Sequence, residues 1–104
     1  MANKKPEVEK LTGHLQHLQV EDDFEKGPYL LCKLLIEKDN ASPDIHFFVL
    51  PITAENCAVA TLQCSLLREA LVHNVEVRIR YDLTPTEFGK AHRIVAVRLQ
   101  LPDE

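Results

Sequence analysis

Apolar and polar positions follow two different rhythms along this chain, and the change between them marks out five strand-like segments and one helix. Over 11–20, Leu11, Leu15, Leu18 and Val20 stand four, three and two residues apart with Gly13 among them, which fits a strand bent by a bulge. The following Glu-Asp-Asp-Phe-Glu-Lys-Gly-Pro (21–28) is a charged breaker and predicts a solvated turn. A second strand is expected over 29–37, a polar loop over 38–44, and a third strand over 45–50 that Pro51 closes. Then the rhythm changes. Val59, Leu62, Leu66 and Ala70 recur at helical spacing behind Thr53 as N-cap and Glu55 in the first turn, predicting a helix of about twenty residues that stops at His73-Asn74. That stripe, flanked by Ala60, Leu67 and Leu71, is expected to face the core, with Cys57, Thr61, Cys64, Ser65 and Arg68 toward solvent.

The fourth strand, 75–82, alternates cleanly: Val75, Val77, Ile79 and Tyr81 on one face, Glu76, Arg78, Arg80 and Asp82 on the other. A long loop over 82–91 contains Pro85 and Gly89. The fifth strand, 93–101, places Val95, Val97, Leu99 and Leu101 on one face and ends at Pro102.

Three strands, one helix and two strands make an all-β chain with a single helix. This order, with a bent, glycine-containing first strand and a helix between the third and fourth strands, resembles the OB-fold superfamily over about residues 8–101. The resemblance implies a five-stranded Greek-key OB-like barrel of order β-β-β-α-β-β, one domain over 8–102 preceded by a flexible N-terminal arm at 1–7. A ferredoxin-like fold would need a second helix after the first strand, and Gly27-Pro28 leaves no room for it.

Composition narrows the function classes. The 104 residues carry 12 Lys+Arg against 16 Asp+Glu, a formal charge of −4, and are 45% hydrophobic, as expected of one soluble domain. No apolar run is long enough for a secretory signal or a membrane span, so a cytoplasmic protein without membrane contact is expected. Cys32, Cys57 and Cys64 are odd in number, and Cys57 and Cys64 on one helix would stand roughly 10 Å apart, so reduced thiols are expected.

Candidate chemistry is sparse. His14 and His17 form an H-x-x-H pair, but on a strand they point to opposite faces, and there is no C-x-x-C, so neither metal nor cofactor is expected. Ser42 and Ser65 lie in no nucleophile elbow, and Gly13, Gly27 and Gly89 are too isolated for a phosphate-binding loop. Such a chain is expected to bind rather than catalyse, with a small enzyme whose site goes unrecognised as the second alternative.

Two binding modes remain. The second strand is apolar on both parities, Tyr29, Leu31, Lys33, Leu35 and Leu30, Cys32, Leu34, Ile36, and the third strand behaves likewise. A small barrel can bury only one face, so the other favours a protein partner or a homodimer, with Tyr29, Leu31, Lys33 and Phe48 as contacts. The alternative follows from the OB resemblance, which implies single-stranded DNA or RNA on the face of strands two and three and on the loops after strands one and four. It assigns Phe24, Tyr29, Lys33, Phe47 or Phe48, Phe88 and Lys90 to that surface, with Arg78, Arg80 and Arg98 as a basic strip on strands four and five. The net charge and the acidic first loop (Glu21, Asp22, Asp23, Glu25) count against it.

Overall fold

The computed structural model describes residues 8–99. Its elements are β1 (Val8–Asp23), β2 (Gly27–Ile36), β3 (Asp44–Pro51), α1 (Cys57–His73), β4 (Val77–Asp82) and β5 (His92–Leu99), the expected class in the expected order. The arm at 1–7, Leu101 and the boundary at 102 lie outside the described residues.

The strands close into a barrel in the order β1-β2-β3-β5-β4. β1 is long enough to serve two neighbours, pairing with β4 as far as Gly13–Val77 and with β2 from His14–Leu35 onward. Gly13 stands at the changeover, where a Cβ would collide with the Leu35 carbonyl oxygen. Two residues later the register shifts between Leu15 and His17, the bulge that bends β1 around the barrel. Closure depends on a short parallel contact between β3 and β5, Phe48 with His92 and Val49 with Arg93.

β2 turns Leu30, Cys32 and Leu34 inward, where they meet Phe48, Leu50, Val77, Ile79 and Ile94. Phe48 is fully buried, so it is a core residue and not the surface contact expected of it. Burial pushes the Cys32 thiol up to about 12, which leaves it an inert packing group.

The helix is rotated so that the Ala60 and Leu67 flank of the expected stripe, together with its last member Ala70, faces the core. Ala60, Gln63, Leu67 and Ala70 are buried, whereas Val59 and Leu62, expected in the core, are 56% and 67% exposed and Leu66 is also exposed. Small side chains explain the choice, because Ala60 and Ala70 let the helix close on the barrel, and Gln63 Nε2 donates to the Val95 carbonyl at 3.1 Å. Cys64, expected in solvent, packs partly on the core. Thr53 does not cap the helix; it exchanges hydrogen bonds with Asn56, the residue at the N-cap position, and Glu55 precedes the first turn. Asn74 ends the helix in a left-handed conformation (φ 51°).

A second register shift, between Arg80 and Tyr81, corrects β5. Arg80 faces Ala96 while Tyr81 faces Ile94, so Val95 is the extra residue and is exposed, and Ile94 enters the core in its place. Asp82, expected on the wet face, is 5% exposed.

Candidate nucleic-acid interface

Two connections meet at one end of the β2–β3 face. In the β1–β2 turn, Asp23 Oδ1 accepts the N–H groups of Lys26 (2.9 Å) and Glu25 (2.8 Å), which hold its carboxyl below the usual range. Gly27 completes the turn at φ +82°, a conformation a side chain would strain. The tight turn leaves the Phe24 ring wholly in solvent at its tip.

The β4–β5 loop is fixed from its base. Asp82 accepts the Thr84 N–H at 2.8 Å and the Arg93 guanidinium at 3.0 Å. The hydrogen bonds from Thr84 and then the Arg93 contact bring the Asp82 carboxyl down to about 2. Further along, Thr86 Oγ1 donates to the Ala91 carbonyl (2.6 Å) and accepts the Phe88 N–H (3.2 Å), so the loop holds Phe88 through its own hydrogen bonds. Phe88 lies against Tyr29 of β2, ring centroids 4.7 Å apart at 51°. Lys26 joins the two connections, its Nζ 5.1 Å from the Phe88 ring and 3.3 Å from the Glu87 carbonyl.

From Tyr29 the outward side of β2 continues through Leu31 and Lys33. Facing them on β3 are Pro51, Val49 and Phe47. Lys33 Nζ sits 5.6 Å from the Phe47 ring, which is 36% exposed. Tyr29 and Lys33 are four residues apart, about 13 Å along the strand. Phe24, Tyr29, Phe88 and Phe47, with Lys26 and Lys33, thus form a ladder of rings and ammonium groups; Lys90 is exposed on the same loop as Phe88. Acidic Glu21, Asp22, Glu25 and Glu87 surround the loops, so the face is aromatic without being strongly basic.

The apolar excess that favoured protein contact is reduced here. Val49 is fully buried and Leu31 half-buried, which leaves Ile45 and Phe47 as the exposed large apolar side chains of β3.

Arg78, Arg80 and Arg98 do not join this ladder. They lie on the outside of β4 and β5, and β4 pairs with neither β2 nor β3. Register places Arg78 opposite Arg98, and Arg80 between Lys10 of β1 and Ala96 of β5. Like charges facing across a sheet are destabilising, and among the described residues none of these four cations forms an ion pair. Lys10 and Lys26 were missed by sequence reasoning. Lys10 shares a parity with Thr12 that only the pairing of β1 with β4 brings beside the arginines, and Lys26 sits in a turn whose partner loop is 61 residues away.

No protein-family model matches the chain, and no curated protein matches it in sequence. Among solved structures it is similar to two crystal structures of the mitochondrial single-stranded DNA binding protein Rim1 of S. cerevisiae, one selenomethionine-labelled. Each superposes with a TM-score of 0.67 over 97% of this chain and 100% of the other, at 9% and 10% identity. The barrel is an OB-fold. At that identity the likeness is one of architecture, so any functional argument must come from side chains on the OB barrel.

Proposed function

We propose that the protein binds single-stranded nucleic acid, without catalysis, on the outer face of β2 and β3 and the two connections beside it. The observation that carries this reading is the ring ladder: exposed Phe24 at the turn tip, half-buried Phe88 against half-buried Tyr29 beneath Lys26, and exposed Phe47 beside Lys33. Single strands offer unpaired base faces, and stacking on such rings is worth about 1–3 kcal/mol per base. The lysines take the intervening phosphates, while the surrounding carboxylates keep the electrostatic contribution small. That the structural neighbours are single-stranded DNA binding proteins supports the same reading.

The test is fluorescence anisotropy of labelled single-stranded DNA and RNA oligomers at low and moderate salt. Saturable binding that the pair Phe88→Ala/Lys90→Ala weakens without lowering thermal stability is the expected outcome. Binding unchanged in that variant removes the β4–β5 loop from the site, and no binding at low salt rejects the proposal.

A second reading, contact with a protein or a second copy, is favoured by Ile45 at 51% exposure beside Phe47, and by the exposed Val59 and Leu62 of α1. Sedimentation of wild type and Phe47→Glu distinguishes it, since only this reading predicts an association that the charge abolishes.

A further inference from the structure

The barrel also carries a groove of about 580 Å3 on the outside of β1, β4 and β5. Lys10, Arg78, Arg80 and Arg98 line it, Ala96 is the small residue opposite Arg80, and among the described residues Glu9 is its one acidic lining residue. In a chain of net charge −4 this is a marked local concentration of positive charge. The cations stand on two cross-strand rungs, Arg80 with Lys10 and Arg78 with Arg98, about 7 Å apart along β4. Successive phosphates on one strand of a B-form helix rise about 3.4 Å along the axis and stand farther apart than that in space, so the two rungs can meet neighbouring phosphates.

We propose that this groove is a second nucleic-acid site, which holds the sugar–phosphate backbone by charge alone and so accepts duplex DNA. It goes beyond the stacking face because no unpaired base is needed. Three of its four cations are arginines, whose planar forks match phosphate oxygens, and facing guanidinium groups have their repulsion relieved by a polyanion between them. An acidic protein segment fits less well. Protein contacts are anchored by aromatic or aliphatic side chains in pockets, and among the described residues none of the large exposed apolar side chains lies in this groove.

The experiment measures binding of a short blunt-ended DNA duplex, which presents few unstacked bases, to the full chain over a salt series. Wild type is expected to bind at low salt with log K falling against log salt at a slope of about −3 to −4. Arg78→Gln/Arg80→Gln/Arg98→Gln is expected to lose about three units of that slope, and Phe24→Ala/Phe88→Ala to retain duplex binding. Amide shift mapping of wild type with the duplex is independent of whether the triple variant folds, and is expected to move residues 10, 78, 80 and 98 rather than 29 and 33. Absence of duplex binding at low salt, an unchanged slope in the folded triple variant, or shifts confined to the β2–β3 face overturns the proposal. So does poly-glutamate that shifts the groove amides where the duplex does not. Failure of the stacking-face variants on single strands, by contrast, bears on the other site alone.

Discussion

The β2–β3 face has rings and few net charges, whereas the groove on the β1–β4–β5 face has, among the described residues, four cations and no aromatic residue. Each is built by a different device. The first depends on two connections held by carboxylates, Asp23 in the turn and Asp82 under the loop, so its geometry is as good as those hydrogen bonds. The second depends on strand register alone, with cations on rungs of the sheet. One small barrel thus presents an aromatic surface and a cationic surface on separate sides, and its net charge of −4 describes neither.

The strongest separation is between neighbours on β3. Phe48→Ala is expected to cost roughly 3–5 kcal/mol of stability, as for a ring removed from a packed core, while Phe47→Ala costs under about 1 kcal/mol. Chemical denaturation measures both, and equal losses would mean that the inward and outward faces are misassigned. Next comes the ladder itself: Phe24→Ala and Phe88→Ala should each weaken single-strand binding by about 1–3 kcal/mol, roughly tenfold to a hundredfold, in anisotropy titrations. A loss shared equally by duplex binding would merge the two faces into one site.

Acid provides a third separation. Asp82 falls to about 2 in the folded protein, against roughly 3.9 in an unfolded chain, and Asp23 is also lowered. A depressed carboxylate contributes stability above its unfolded value and loses it as pH falls toward its folded value, here between about 4 and 2. Single-strand affinity and thermal stability should therefore fall together through that window, and Asp82→Asn should show a smaller fall. An identical acid response in Asp82→Asn would detach the loop's anchor from the site. The smallest effect is expected from Arg98→Gln. Removing one charge from the Arg78–Arg98 rung should raise stability by a few tenths of a kcal/mol at low salt and by nothing at high salt, measured by thermal melting. A destabilised variant would show that the rung is already neutralised.

Particular residues show where the sequence was legible. The alternation of Val77 and Ile79 against Arg78 and Arg80 gave strand and face together, because one side is wet and the period is two. Along β2 both parities were apolar, so periodicity carried no information about which faced inward; the barrel buried Leu30, Cys32 and Leu34 and left Tyr29 and Lys33 to the surface. On α1 the expected stripe held at Ala70 and at its flank Ala60 and Leu67 and failed at the larger Val59, Leu62 and Leu66. Ala60 and Gln63 took the places expected of Val59 and Leu62, beside Leu67 and Ala70, because the barrel end admits a helix only at close approach, a requirement that hydrophobicity along the chain does not encode. Val95 was misplaced because a bulge moves parity by one residue without leaving a mark in composition.

What the chain alone determined was local: element order, the bent glycine-bearing first strand, the αL stop at Asn74 and the chemistry available to bind. These follow from backbone sterics and from the periods at which side chains meet one surface. Which residues meet was set by the way the barrel closes. Lys26 reaches a loop 61 residues away, Lys10 faces Arg80 across a sheet, and Phe48 leaves the surface for the core, because barrel closure and register set distances between residues that have no relation along the sequence.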